Sequence, residues 1–285
     1  MKMTQAEKER FVDLHIHSMY SDGVFTPEKI IETAVEKGLK AIALTDHDSV
    51  EGVQRAIEAA KGKAIEVIPG VEMSATISGE DIHILGYFVD WKDPVLLKEL
   101  AQIREDRKVR MREMLSLLRE QGIDLDEQMV FDTISKSSVG RLHLAKILLK
   151  EKAVSTLQNA FDKYIGNGKP CFVGYKHLNY ANAIKTIKRA GGVAVLAHPG
   201  TMGNDKYIPD YVKAGLSGLE VYYNKHRPDI MRKYSALADK HGLIATGGSD
   251  CHGSINGKGI IMMGSVKVKY EAVEKLRNAA GKLRT

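Results

Sequence analysis

Cysteine is scarce in this 285-residue chain: only Cys171 and Cys251, far apart in sequence. That excludes a disulfide scaffold, a thiolate-rich structural zinc site and an iron–sulfur centre, and it suits a reducing cytoplasm. Long hydrophobic runs are also missing. No apolar stretch approaches the ~20 residues needed to cross a bilayer. The N-terminal "MKMTQAEKER" has no apolar centre of the kind a secretory signal carries. There is no Pro- or Ser-rich linker, no repeat of fixed period and no low-complexity segment. Charge of one sign is in small excess, a net +6, which favours an anionic substrate without specifying nucleic acid.

What is present is a strand–helix rhythm. "FVDLHIH" predicts a strand. "TPEKIIETAVEKGL" predicts a helix, with Thr26 as N-cap, Pro27 opening the first turn and Gly38 near the C-cap. "AIALTDHD", "AIEVIPGVEMS" and "DIHILGYFVD" predict three more strands. The rhythm stops near Trp91 and resumes with "ANAIKTIKRAGG", "VAVLAHPG", "SGLEVYY", "RPDIMRKYSALADKHG" and "LIATGGSDCHG". Between these halves the pattern is helical only. The expected fold class is α/β: one mostly parallel barrel built from residues 1–93 and 178–285, interrupted by an all-helical insertion at 94–177.

Chemistry gathers where the strands end. Residues at i and i+2 of a strand share a face, so His15 and His17 point together, with Asp22 just beyond. The second strand ends with His47 between Asp46 and Asp48, and the third with Glu72. His83 is the odd member, near the start of its strand. His198, Glu220 and His226 follow, and Asp250 and His252 share a face in "GSDCHG". Seven of the ten histidines fall in this set. In β/α barrels the carboxyl ends of the strands form the functional mouth, and imidazoles recurring there point to metal ligation. Six histidines and the carboxylates Asp22, Glu72 and Asp250 suffice for two or three ions. Such clusters hydrolyse esters, and a phosphate ester is the natural substrate, because its anionic oxygens bridge cations. Cys251 turns to the opposite face from Asp250 and His252 and is expected in the core. His241, just before Gly242, suits the C-terminus of a helix. The basic run at 104–112 is interleaved with Glu105 and Asp106 and is expected on a solvated face.

The ordered segments "DLHIHSMYSDG", "ALTDHDSVEG", "IPGVEMS", "HILGY", "AHPG", "LEVYY" and "GSDCHG" resemble the motifs of the polymerase and histidinol phosphatase (PHP) superfamily. The likeness spans nearly the whole chain. It is closest to the stand-alone bacterial phosphoesterases with a helical insert, which include 3′,5′-nucleotide bisphosphate phosphatases and 5′–3′ exoribonucleases. The resemblance implies a distorted (β/α)7 barrel with a trinuclear centre of Mn, Fe or Zn. One ion would take His15, His17, Glu72 and Asp250. Glu72 would bridge to a second held by His83 and His198, and a third would take Asp22, His47 and His252. "VGRLHLAKILL" is similar to a family segment whose arginine reaches a substrate phosphate, with Leu142 where proline is common. This implies phosphate-binding and catalytic roles for Arg141 and, by a similar likeness, for His226.

The expected activity is therefore metal-dependent hydrolysis of nucleotide phosphate esters, either 3′,5′-bisphosphonucleotides or short 5′-phosphorylated RNA. No membrane or obligate protein partner is expected. Histidinol-phosphate hydrolysis is the enzymatic alternative, opposed by Asp22 and the insert. An amidohydrolase-type barrel would want a bridging lysine, where this chain offers Glu72. An inert scaffolding module would be expected to have lost ligands, and none of the nine positions is lost.

Overall fold

The computed structural model describes residues 11–134, 138–175, 179–201, 205–253 and 261–283. His177 lies outside them. Eight strands form one sheet in the order β7-β6-β5-β4-β3-β2-β1-β8. They are β1 (Phe11–Ile16), β2 (Ala41–Leu44), β3 (Glu66–Ile77), β4 (Glu80–Tyr87), β5 (Val193–Leu196), β6 (Gly218–Tyr223), β7 (Ile244–Gly248) and β8 (Val268–Lys269). The sheet curls into a nearly closed barrel. It nears closure where β1 meets the segment after β7: the His17 N–H donates to the carbonyl of Cys251 at 3.0 Å and Ile16 pairs in parallel with Cys251.

Most neighbours are parallel, as buried strands joined by helices require. The exceptions are the short β8, antiparallel to β1, and β4, antiparallel to both β3 and β5. The start of β4 therefore lies beside the ends of its neighbours, and this explains how His83, early in its strand, reaches the mouth. At the opposite end of the barrel Tyr87 pairs with Val193, and the Asp90 N–H donates to the Ala190 carbonyl.

Helix α1 (Pro27–Glu36) begins as the sequence dictates, with the Thr26 hydroxyl accepting from the Lys29 N–H at 3.2 Å. α2 (Val53–Ala60) follows β2. Between β4 and β5 come α3 (Pro94–Glu120), α4 (Glu127–Ile134), α5 (Arg141–Lys150) and α6 (Leu157–Ala160), then a π turn at Phe161–Ile165 and α7 (Tyr180–Arg189). Asp93 caps α3, accepting from the N–H groups of Val95 and Leu96. α8 (Ile208–Lys213), α9 (Pro228–His241) and α10 (Glu271–Leu283) complete the chain. α9 stops at Gly242, whose φ of 63° places it in the left-handed region that glycine tolerates.

Two apolar layers flank the sheet. Val71, Met73, Ile84 and Leu196 pack outward against Ile184 and Ile187 of α7. Leu14, Leu85, Tyr87, Val193 and Val195 share a cluster with Val273 and Leu276 of α10, so the C-terminal helix packs over barrel residues that the sequence motifs leave unassigned. A third apolar cluster, from Met111 to Cys171, lies wholly within the segment between β4 and β5. The first turns of α3 instead pack on the barrel through Leu96, Leu100 and Ile103. Among the described residues no helix is long and apolar enough to cross a membrane.

Candidate metal centre

Alternation along β3 sends Val71 and Met73 outward to the helices and leaves Glu72, fully buried, facing the barrel interior. Five imidazoles surround it. Glu72 Oε2 lies 3.1 Å from Nε2 of His15, 3.1 Å from Nε2 of His17 and 3.2 Å from Nδ1 of His47. Its Oε1 lies 2.8 Å from His83 Nδ1 and 3.1 Å from His198 Nε2. Asp250 Oδ1 is 3.1 Å from His17 Nε2, and Asp22 Oδ1 is 3.1 Å from His252 Nε2. All nine residues singled out in the sequence thus enter one cluster.

Within it the ligand atoms fall into three overlapping groups: His15, His17, Glu72 and Asp250; His17, Asp22, His47 and His252; and His47, Glu72 and His83. Each group lies within 4.8 Å. The first matches the set implied by the resemblance. In the other two, His17 and His47 sit between groups, while His198 approaches through Glu72 and, at 3.3 Å, through His83.

Imidazoles and carboxylates without thiolates suit borderline or hard divalent cations. The bonding supports that fit. His17 Nε2, Asp22 Oδ1 and His47 Nδ1 are buried yet lack a hydrogen bond of acceptable direction, a costly state for polar atoms away from water. Cations held by these overlapping groups would satisfy the lone pairs. Burial tends to raise the Glu72 carboxyl, but the imidazoles of His47, His15 and His83 hold it well below its ordinary range. Burial likewise opposes a charge on His17, yet Asp250, Glu72 and Asp22 raise its pKa to about 10. His47 goes the other way, kept neutral by burial.

The supporting residues explain how such a cluster is held. Glu220, fully buried, faces His15 Nδ1 at 2.9 Å and accepts from the His198 N–H at 2.7 Å, fixing two candidate ligands at once. Asp46 accepts from Ser18 and Ser21 in the turn after β1. Asp13 accepts from Ser249 and from the Gly264 N–H, holding the turn that bears Asp250 and His252. The Tyr223 hydroxyl donates to Asp250 Oδ2 at 3.0 Å. His198 and Asp250 have φ values of 28° and 52°, left-handed conformations that ordinary residues hold only when their surroundings enforce them. The sequence places these acids beside ligands but gives no sign of their partners. Tyr223 carries no sequence signal beyond its place in "LEVYY".

Cys251 packs with Ile16, Ile30 and Met263, away from the cluster. The basic run corrects one expectation. Arg104, Arg107 and Arg110 recur every three residues and form a stripe facing the barrel, not a solvated face. Arg107 is 4% exposed and is bound to Asp48, to Ser74 Oγ at 2.6 Å and to the Val139 carbonyl. Arg110 bonds Asp81, and Arg104 the Asp48 carbonyl. Lys108 and Arg112 of the run pair with acids in solvent, and Arg104 also reaches the exposed Glu51 at 3.7 Å.

Arg141 opens α5 directly after Gly140, so Leu142 occupies the second position and does not delay the helix. Its guanidinium donates to Asn167 Oδ1 at 2.7 Å and lines a cleft with His83 and His198. His226 stands differently. Its Nδ1 donates to the Val221 carbonyl at 2.9 Å, and its Nε2 accepts from the Gly200 N–H at 3.1 Å. With both nitrogens on backbone groups, it braces the turn after His198 and presents no free ring nitrogen to a substrate.

The chain also resembles known proteins in sequence and in fold. A family model described as the PHP domain matches residues 13–257. The chain is 38% identical over 248 residues to a 3′,5′-nucleoside bisphosphate phosphatase of Chromobacterium violaceum, covering 85% of this chain and 87% of that protein. It is 34% identical to a 5′-3′ exoribonuclease of Haemophilus influenzae, over 84% of this chain and 89% of the relative. A crystal structure from Bifidobacterium adolescentis, assigned as a metal-dependent phosphoesterase, superposes with a TM-score of 0.84 at 27% identity, over 94% of this chain and 95% of that one. A matched family model, relatives more than 30% identical over most of the chain and a shared fold agree: the chain is a member of the PHP domain family.

Proposed function

We propose that this protein is a metal-dependent phosphoesterase that hydrolyses phosphate esters of nucleotides, with 3′,5′-bisphosphonucleotides as the first candidate substrates. The observation that carries this is the convergence of five imidazoles on Glu72, with Asp22 and Asp250 beside them. The nine residues His15, His17, Asp22, His47, Glu72, His83, His198, Asp250 and His252 would hold two or three divalent cations, with manganese, iron and zinc as the candidates. Bound cations supply Lewis acidity and acidify water at the site.

The chain's own groups do the rest. Glu220 and Tyr223 keep His15 and Asp250 aimed. Arg141 offers a guanidinium whose paired donors match a phosphate that is not being cleaved. His226 acts by holding Gly200, and through it the His198 turn. Residues 1–93 and 178–285 supply the cluster, while 94–177 forms an insertion that covers it. Two buried free thiols are consistent with work in a reducing cytoplasm.

A second reading, the exonucleolytic trimming of short 5′-phosphorylated RNA, is favoured by a groove on the Asp22 side of the cluster. Lys146 and Lys150, one helical turn apart, line it with Met19 and Val24. Such a groove suits a longer anionic strand. The test is a time course with metal-loaded protein on adenosine 3′,5′-bisphosphate, 5′-phosphorylated oligoribonucleotides of increasing length, and histidinol phosphate. Release of phosphate or mononucleotide from the nucleotide substrates is expected. Turnover of histidinol phosphate alone, or of none, refutes the proposal.

A further inference from the structure

The cleft that Arg141 shares with His83 and His198 is larger than a phosphate needs, about 690 Å³. Its inner wall is formed by His83 and His198 of the candidate metal cluster. Its outer wall comes from the insertion: Phe161, Phe172 and the loop at 166–168. This wall is built with care. Phe161 opens a π turn, a rare form that gathers at functional positions. The turn closes only because residue 166 is glycine, since a Cβ there would meet the Phe161 carbonyl oxygen at 2.4 Å. Asn167 and the Ile165 carbonyl then accept from Arg141, and the Phe172 ring lies 5.2 Å from its guanidinium. Asp81 borders the same cleft. Arg110 and Arg141 neutralise it on one side, while its Oδ1 is buried without a hydrogen-bond partner. Among the described residues, the groove on the Asp22 side is lined by no phenylalanine, tyrosine or tryptophan.

Resting on the phosphoesterase reading above, we propose that this cleft is a nucleobase subsite: Phe161 and Phe172 form an aromatic wall for the base, Arg141 holds a phosphate, and Asp81 Oδ1 accepts from a donor of the nucleoside. Stacking uses the π-face that all bases share, so the subsite selects for the presence of a base and tolerates its identity. The substrate class is then nucleoside phosphates, as opposed to sugar or amino-alcohol phosphates of equal charge.

The test compares metal-loaded wild-type protein on nucleoside 3′,5′-bisphosphates with each of the four bases and on the matching base-free sugar bisphosphate. Loss of the base should raise KM about tenfold or more, the scale of base–aromatic stacking, with a smaller change in kcat. The four bases should differ far less among themselves. Phe161→Ala and Phe172→Ala should raise KM only for substrates with a base, and Phe161→Tyr should restore it. Equal KM with and without a base in the wild type overturns the subsite, as does a Phe161→Ala penalty of equal size on both substrates. Equilibrium binding of adenosine monophosphate against ribose 5-phosphate, read without turnover, separates the two ideas. If nothing is hydrolysed but the nucleotide binds about tenfold tighter, the subsite stands and the phosphoesterase reading falls. Equal binding overturns the subsite.

Discussion

The barrel mouth and the helical insertion bury different things. The mouth buries charge: Asp13, Asp46, Asp48, Glu72 and Glu220 are each at most 1% exposed, and ligands there occupy strained backbone. The insertion beyond Met111 buries an ordinary apolar cluster and leaves its ion pairs in solvent. The first arrangement gives up stability so that groups of like chemistry can be held together; the second stands mainly on hydrophobic burial. On the proposed reading, chemistry is housed in the mouth and selectivity in the insertion, and Arg104, Arg107 and Arg110 join the two.

The largest effect is expected at the centre of the mouth. Glu72→Gln should lower activity by more than about 10³-fold and reduce bound metal, read by turnover and elemental analysis. A variant that keeps its metal and its rate would break the contrast. At the seam, Arg107→Ala leaves Asp48 buried and unpaired, and should cost about 3–5 kcal/mol in urea unfolding. Asp48→Asn in the same background should recover part of this. Glu220→Gln keeps the shape but weakens the hold on His15 and should cost about 10–100-fold in metal affinity.

Proton linkage is the next test. In the cation-free protein the His17 pKa is raised to about 10, above its unfolded value. Its stabilising contribution is complete below about pH 6.5 and is lost as pH rises through 10. Glu72, Asp22 and Asp250 are depressed, so their contribution is present above about pH 4 and fades as pH falls through their folded values. Cation uptake must displace the His17 proton. Affinity should therefore climb with pH toward 10, with proton release measured by calorimetry in two buffers. The smallest effect belongs to the insertion's exterior. Arg112→Ala removes a pair with Glu127 whose partners are each about half exposed, and should change stability by less than about 1 kcal/mol.

Much of this was legible in the sequence for a physical reason: ligands must stand at strand ends, and strand ends carry turn signals that mark them. Period-two alternation paired His15 with His17 and Asp250 with His252, and the resemblance to the PHP motifs then grouped His15, His17, Glu72 and Asp250. His83 looked misplaced because strand direction is a property of pairing, which a single strand does not reveal. The arginine stripe was hidden because the acids between its members lie on other faces of the same helix, and a linear reading averages them. The roles of Asp13 and Tyr223 depend on partners far along the chain, at Ser249 and Asp250. The short β8 and α10 lie past the last motif and carry no chemistry to flag them.

The inverted β4 has an evolutionary consequence. Because Tyr87 and Val193 pair at the floor of the barrel, a tight hairpin could have joined β4 to β5 there. The chain instead departs on α3, whose 27 residues span about 40 Å and climb back to the rim. An appendage rooted at the floor can lengthen, shrink or change its lining while the rim loops keep their register. Descendants of such a scaffold can diversify what they accept without renegotiating how they react.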